Sequence, residues 1–414
     1  MYKTMIKRAI CLKVLLSLTL ITTFTSSAKQ QKLLPSDGKT EDFFGYSVAV
    51  DGTTALVGAY KADINLHEDA GAAYVYTKVG AGWQQQAKLS VTPAFSNDTL
   101  GGKVALKNRI AILGIRNRDD AAEDAGAVVA FEYKESNWSQ QQILTATDAK
   151  KGDAFGQSIG LTDQFLVIGA PRSDSPLEDT GAVYVYSRSQ DSWQFQSKLT
   201  AHDGMAGDLF GISVAVDGNT ILVGADLNDD KAENAGAVYV FSFNGSQWSQ
   251  QAKLMASDGA KTDIFGVRVA LHGDTALISA RRDDIEGVGV DAGSAYIFER
   301  SNNTWEQTQK LIAPDGNADD RFGRGVALSN DTAIISAMHH DAKDSDAGAA
   351  YVFKKQHKRW RLERKILAID GLSEDRFGWN VSLSNSTAII AAPHRDDNGE
   401  TSGAAYVIDL SDKN

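Results

Sequence analysis

Short apolar and polar segments alternate along this chain in a pattern that recurs from one end to the other. In one repeat, small and apolar residues at 211–216 precede a tight turn at 217–220 and an apolar run at 221–225. A polar loop follows, then a β-branched and aromatic run at 236–241 and an alternating segment at 247–254. Short runs of this kind, bounded by glycine and asparagine turns, predict strands. We therefore expect four strands per repeat and an all-β fold.

The unit occurs seven times, with a period of about 55 residues. Each copy opens on Phe-Gly, or on Leu-Gly in the second copy, with the pairs beginning at Phe44, Leu100, Phe155, Phe210, Phe265, Phe322 and Phe377. A second glycine and, twelve positions later, a tryptophan follow in the first six copies. A lone four-stranded sheet of this size leaves both apolar faces uncovered. Sheets stacked around an axis cover one another, so we predict a seven-bladed β-propeller with four antiparallel strands per blade.

The two ends of the chain predict how the ring closes. The last copy stops after its third strand, and segment 29–34, before the first copy, matches the fourth strands of other copies. We expect this N-terminal strand to complete the last blade, which would remove the open sheet edges. The propeller would then span 29–414. An open superhelical array of the repeats is the alternative, but it does not account for the complementary truncations.

The first 28 residues have the composition of an export signal. Lys3, Lys7 and Arg8 precede an apolar stretch at 9–24, and small residues end at Ala28, as in a cleaved signal peptide. Without this segment the chain has no cysteine, and 38 basic face 53 acidic residues, a formal charge of −15. That balance argues against nucleic acid and anionic membranes as partners, and no second apolar segment could span a membrane. We expect a monomer that is secreted, periplasmic or at the cell surface.

Phe-Gly followed by Gly169-Ala170-Pro171 resembles the FG-GAP repeat of the integrin α-subunit head, and the full pattern is more similar still to bacterial FG-GAP proteins. The resemblance implies an interaction platform and is silent on activity. Integrin-type repeats often carry an Asp-x-Asp-x-Asp-Gly calcium loop after the first strand. The corresponding turns here, such as 51–54 and 217–220, supply too few oxygens for calcium. We therefore expect no cofactor and no calcium at that position.

An aspartate stands two residues before the Phe-Gly or Leu-Gly pair in every copy: Asp42, Asp98, Asp153, Asp208, Asp263, Asp320 and Asp375. Recurrence in every blade favours a structural role, in which each carboxylate accepts backbone N–H bonds and fixes a loop. The alternative is a ring of calcium-binding or other cation-binding loops on one face.

The loops between the second and third strands differ most among the copies, and variable loops on a repeated frame are where binding sites form. We predict a ligand face around the central channel that contains Arg116, Arg118, Asp120, Arg172, Asp174, Asp229, Asp230, Arg281, Arg282, Asp284, His339, His340, His394, Arg395 and Asp397. The alternative is a solvated loop face whose Arg–Asp pairs have little energetic value.

The sequence contains no zinc-protease or phosphate-loop motif and no unique pair of carboxylates, so we identify no catalytic residues. We predict a non-enzymatic binding or adhesion module for a protein or glycan ligand of unknown identity. An envelope structural or assembly protein and a glycan-active propeller enzyme are the alternatives. An enzyme would concentrate its departures from the repeat in one blade, whereas these loops differ all around the face.

Overall fold

A computed structural model describes residues 30–411 of the chain. Within this range the regular structure consists of 28 strands in seven four-stranded antiparallel sheets, so the predicted seven-bladed propeller is confirmed. Nothing helical in the same range has the length and hydrophobicity needed to cross a membrane. The predicted export signal at 1–28 lies outside the described residues.

The first three blades follow one another along the chain. Blade 1 contains β2 (Phe44–Asp51), β3 (Thr54–Ala59), β4 (Ala72–Val79) and β5 (Gly82–Leu89). Blade 2 contains β6 (Val104–Lys107), β7 (Ile110–Ile115), β8 (Ala127–Lys134) and β9 (Asn137–Leu144). Blade 3 contains β10 (Ser158–Leu161), β11 (Phe165–Ala170), β12 (Ala182–Ser189) and β13 (Ser192–Leu199).

Three further complete blades continue the series. Blade 4 contains β14 (Ser213–Asp217), β15 (Thr220–Ala225), β16 (Ala237–Phe243) and β17 (Trp248–Leu254). Blade 5 contains β18 (Arg268–His272), β19 (Thr275–Ala280), β20 (Ser294–Ser301) and β21 (Thr304–Leu311). Blade 6 contains β22 (Phe322–Ser329), β23 (Thr332–Ala337), β24 (Ala349–Gln356) and β25 (Arg359–Ile366).

Blade 7 is assembled from both ends of the chain. It contains β26 (Val381–Ser384), β27 (Thr387–Ala392) and β28 (Ala404–Asp409), and its fourth strand is β1 (Gln30–Leu33). β1 pairs antiparallel with β28, with Lys32 opposite Tyr406. Gln31 also exchanges two hydrogen bonds with the backbone of Trp83 in blade 1, each 2.7 Å long. The predicted closure by the N-terminal strand is therefore confirmed.

Two glycines of each repeat lie where neighbouring blades meet backbone to backbone. Gly45 has φ +96°, and a Cβ there would lie 2.5 Å from the carbonyl oxygen of Ala404. Gly403 has φ +87°, and its Cβ would lie 2.0 Å from the carbonyl oxygen of Phe44. Only glycine fits both the left-handed conformation and the close approach. Phe44 itself is fully buried and packs edge-on against Tyr74, with 5.5 Å between the ring centroids.

The strand order places different side chains at the axis and at the rim. The first strands of neighbouring blades contact one another around the central channel. The fourth strands form the outer rim, where the six repeated tryptophans are buried. The loops from strand 4 to the next strand 1 and from strand 2 to strand 3 share one end of the propeller, which we call the loop face.

Candidate functional site

The seven aspartates that precede the Phe-Gly and Leu-Gly pairs belong to the frame of the loop face. Each is buried, and its Oδ2 accepts a hydrogen bond of 2.7–2.9 Å from the backbone N–H three residues earlier. The geometry is the one expected of loop-fixing carboxylates. Burial raises the pKa of most of them, that of Asp263 to about 6. Among residues 30–411, no three His, Cys, Asp or Glu side chains are grouped so as to hold a metal ion.

A second set of aspartates fixes the loops between strands 2 and 3. Asp174 Oδ1 accepts from the backbone N–H of Asp179 at 3.2 Å, and Asp229 Oδ1 accepts from that of Asn234 at 2.6 Å. Both donor residues have positive φ, so each carboxylate supports a left-handed turn. Asp284 occupies the same position in blade 5. We expected Asp174, Asp229 and Asp284 to face a ligand from these loops. In the structure, these three aspartates stabilise the loops themselves.

Three residues predicted for the ligand face are buried instead, which corrects that prediction. Each lies 2.7 Å from Oδ2 of the structural aspartate of its own blade: Arg118 from Asp98, His340 from Asp320 and Arg395 from Asp375. The third residue of the strand 2–3 loop therefore points inward and ties the two loops of a blade together. The Nε groups of the two arginines donate to further predicted residues, Asp120 at 2.8 Å and Asp397 at 3.1 Å.

The remaining predicted residues divide between the outer loops and the axis. Asp230 pairs with Lys253, His339 Nδ1 lies 3.4 Å from Asp319 Oδ2, and Arg172 and Arg282 are exposed. Arg116, Arg281 and His394 lie at the end of the central channel that opens on the loop face, here called the channel mouth.

An unbroken circuit of rings from blades 1 and 7 lines one part of the channel mouth. Tyr46 lies 4.2 Å from Tyr60, and centroid distances of 5.5 Å connect Tyr60 to Phe43, Phe43 to His394, His394 to Trp379 and Trp379 to Tyr46. All five are half-buried. Burial and the charge of Arg376 lower the pKa of His394 to about 4, so this ring is neutral at pH 7. We call these residues the aromatic side.

Basic residues from blades 2, 5 and 6 form the facing part, which we call the basic side: Lys103, Arg268, Arg281 and Arg324. Lys103, Arg268 and Arg324 line one cavity together with Tyr46 and Trp379. Arg281 follows β19 and interacts electrostatically with Arg268. None of the four forms an ion pair with a carboxylate of the described residues, whereas arginines elsewhere on the loop face do.

Burial and mutual repulsion depress the pKa values of this cluster. Burial, followed by the charges of Arg268 and Arg324, lowers the pKa of Lys103 to about 8. Burial and Arg268 lower the pKa of Arg281 to about 10, and the pKa of Arg324 is lowered well below its usual value. Asp226 is buried, and its carboxylate interacts electrostatically with Arg281 and Arg268. Its burial raises the pKa to about 6.

Except for Arg116, Arg281 and His394, the channel mouth was missed by the ligand-face prediction, because its signal lies mainly in the first strands. The second residue after the Phe-Gly pair is a serine in blades 1, 3 and 4, and it is Lys103 in blade 2 and Arg268 in blade 5. Ser158 and Ser213 donate to backbone carbonyl oxygens of the next blade at 2.7 and 2.6 Å. Long cations thus replace small bridging hydroxyls, a departure that an alignment of the seven first strands displays.

The chain belongs to the FG-GAP repeat family. Six segments match that family, at 28–76, 138–186, 193–241, 248–298, 305–353 and 360–408, and together they cover more than half of the chain. The matched segments leave out 77–137, which contains the second copy with Leu100 in place of phenylalanine. Family and fold together define an integrin-α-like FG-GAP β-propeller.

Human integrin alpha-11 is 26% identical over 215 residues, which represent 48% of this chain and 16% of the integrin, so the match spans only a small part of that relative. Among solved structures, a chain of the mitotic checkpoint complex has a TM-score of 0.54 at 11% identity, covering 98% of this chain and 100% of that one. Sqt1 of Saccharomyces cerevisiae has a TM-score of 0.49 at 9% identity, covering 90% and 97%. At such identities the checkpoint chain supports the fold alone.

Proposed function

We propose that this chain is an exported, non-enzymatic binding or adhesion module whose ligand docks at the channel mouth. One observation carries the proposal: the channel mouth breaks the sevenfold repetition with side chains whose hydrogen-bonding capacity is unmet. Most of the buried side-chain nitrogen or oxygen atoms without a hydrogen-bond partner among the described residues lie there, on Thr99, Asp226, Arg268, Arg281, Arg324 and Arg376. The carboxylates and arginines of the outer loops are, by contrast, mostly engaged with one another.

The composition of the channel mouth favours binding over catalysis. Binding sites combine concave apolar surface with a few convergent polar groups, and the aromatic and basic sides provide the two components. Three of the four cations are arginines, which keep their charge and orient a ligand without exchanging protons with it. The signal-like composition of 1–28 and the similarity to an integrin α-subunit support a site of action outside the cytoplasm.

The proposal can be tested by screening the purified full chain on arrays of glycans and extracellular proteins. The test variant is Tyr60→Ala with Trp379→Ala, which removes two half-buried rings of the channel mouth. The matched control is Phe195→Ala with Leu362→Ala, which removes two exposed apolar side chains from outer strands. We expect ligands of the wild type to be lost by the test variant and kept by the control. A ligand kept by both variants would place the binding site elsewhere, and turnover of an arrayed glycan would indicate an enzyme.

A further inference from the structure

We propose that the basic side of the channel mouth binds the carboxylate of an aspartate or glutamate side chain, which a partner protein inserts end-on along the propeller axis. The inference rests on the proposed binding function and specifies the chemistry of its ligand. It depends on three observations: the unmet donors of the guanidinium groups, the local excess of positive charge, and the dimensions of the cavity.

The guanidinium groups have N–H donors whose hydrogen bonds no atom of the described part of the chain accepts. Arg324 is only 6% exposed, and its Nε and Nη1 have no partner among the described residues. Its guanidinium carbon lies 4.0 Å from the centroid of Trp379, and this stacking holds the group in place. Arg268 Nη1 donates to the carbonyl oxygen of Val267 at 2.8 Å, which leaves its buried Nε unpartnered. Nε and Nη1 lie on different edges of the guanidinium, each of them beside Nη2, and a carboxylate can accept two parallel N–H bonds from either edge.

Charge at the basic side is not balanced by the residues that the structure describes. Four cations surround the site, and Asp226 is the one buried carboxylate within 30–411 that interacts with them, through Arg281 and Arg268. Asp226 forms no ion pair with a residue of this range, and its Oδ1 has no partner there. The depressed pKa values of the cations are consistent with an unrelieved repulsion. A bound anion would reduce this repulsion, although Asp226 itself would oppose the anion.

The cavity lined by Lys103, Arg268 and Arg324 has room for an acidic side-chain tip. Its volume is about 90 Å³, and the adjoining compartment by Tyr60 and Arg116 measures about 110 Å³. For comparison, a cavity of about 150 Å³ accommodates benzene. Tyr46 and Trp379 line the same cavity as the cations and offer apolar contact to methylene groups. We therefore take a protein loop, which can deliver one such side chain along the axis, as the occupant of the cavity.

The propeller frame does not require these cations. Serine occupies the positions of Lys103 and Arg268 in other blades, and valine occupies the position of Arg324 in blade 5. In blade 6 the bridging hydroxyl comes from the second strand instead, where Ser336 Oγ donates to the carbonyl oxygen of Gly378. The variant Lys103→Ser, Arg268→Ser, Arg324→Val therefore restores residues that the same fold already uses at these positions.

The experiment measures binding of four probes to the purified full chain by titration calorimetry at constant ionic strength. The probes are N-acetylglutamate N-methylamide, its glutamine counterpart, methyl glucuronide and inorganic phosphate. Arg361→Gln, an exposed charge on the outer strand of blade 6, is the control variant. We expect the glutamate probe to bind about tenfold or more tightly than the glutamine probe, and the triple variant to lose about tenfold or more in affinity. The control should match the wild type.

Equal affinity of the triple variant and the wild type, equal binding of the glutamate and glutamine probes, or no binding of the glutamate probe would each overturn the inference. Tighter, cation-dependent binding of methyl glucuronide or phosphate would overturn it as well, by identifying a glycan or a free ion as the ligand. A ligand from the array screen that needs Tyr60 and Trp379 but survives the triple variant would reject the carboxylate and leave the binding function standing. If the glutamate probe binds specifically but the array screen yields no macromolecular ligand, the carboxylate site would stand and the proposed binding function would be rejected.

Discussion

The outer loops of the loop face and the channel mouth both contain buried cations, but these are paired with carboxylates in the outer loops and not at the channel mouth. In the outer loops, Arg118 and Arg395 are buried against Asp98 and Asp375, and the second set of aspartates accepts backbone N–H groups. At the channel mouth, Arg324 and its basic neighbours form no ion pair with a carboxylate of residues 30–411. Buried charge is costly unless it is paired. The outer loops therefore use charge to hold the frame, whereas the channel mouth keeps charge available for a ligand.

This contrast changes the meaning of the repeat pattern. Sequence variation among the loops between strands 2 and 3 led us to expect a ligand face there. Much of that variation, however, only changes which side chain contacts the structural aspartate of the same blade. Arg118, Asn228 and His340 all reach the structural aspartate of their own blade from the same loop position. Variation in the first strands is different, because it brings Lys103, Arg268 and Arg324 to the axis, where no carboxylate of the described residues forms an ion pair with them.

The largest effect should follow from removing the strand that closes the frame. Deletion of 29–34 would leave β28 with an open edge, so we expect loss of cooperative unfolding and aggregation of the chain. Size-exclusion chromatography and thermal unfolding would measure this. The control Lys32→Ala removes only the ion pairs of Lys32 with Asp370 and Asp397. Its free energy of unfolding should fall by about 1 kcal/mol or less. A soluble deletion variant of unchanged stability would contradict the role of β1.

Breaking a pair in the frame should cost more than removing an exposed charge from a loop of the same kind. Arg118→Ala leaves Asp98 buried without its partner, and we expect a loss of about 3–5 kcal/mol in the free energy of unfolding. Arg172→Ala removes an exposed arginine and should change stability by about 0.5 kcal/mol or less. Urea denaturation of both variants measures the difference. Equal losses in the free energy of unfolding for the two variants would show that the outer loops are solvated and that their ion pairs do not stabilise the frame.

Removal of the unpaired cations should raise the free energy of unfolding, in contrast to the loss expected for Arg118→Ala. The triple variant Lys103→Ser, Arg268→Ser, Arg324→Val abolishes the repulsion at the axis and introduces residues found in other blades. We expect the free energy of unfolding to rise by about 0.5–2 kcal/mol, as is common where a binding site has been maintained at a cost in stability. A decrease of the size seen for Arg118→Ala would mean that the cations belong to the frame.

The smallest expected effect is a pH dependence that Lys103 confers on stability. Its pKa is about 8 in the folded chain and near 10.5 when unperturbed, so between these values the unfolded chain binds more protons. Stability should therefore rise with pH across this window in the wild type, relative to Lys103→Ser. Arg268 and Arg324, which face Lys103, are present in both proteins. Parallel pH profiles for the two proteins would contradict the depressed pKa.

The fold and its closure could be predicted from the sequence, but most of the site could not. Phe-Gly spacing, apolar second strands and tryptophan-bearing fourth strands are local signals that recur in six or all seven blades, so each copy reinforces the others. The channel mouth has no such redundancy. Tyr46 and Trp379 lie more than 300 positions apart in the chain and meet only because the ring closes. The predicted residues Arg116, Arg281 and His394 do reach the channel mouth, whereas Arg118, His340 and Arg395 turn inward.

The sequence alone thus determined the number of blades, the strand order within them and the use of 29–34 as the closing strand. These follow from local backbone requirements, such as the glycines without which neighbouring blades could not touch. The tertiary structure decided which charges are paired and which are not. That outcome depends on the directions of side chains from different blades, and on the fact that seven first strands converge on one axis while the outer loops diverge from it.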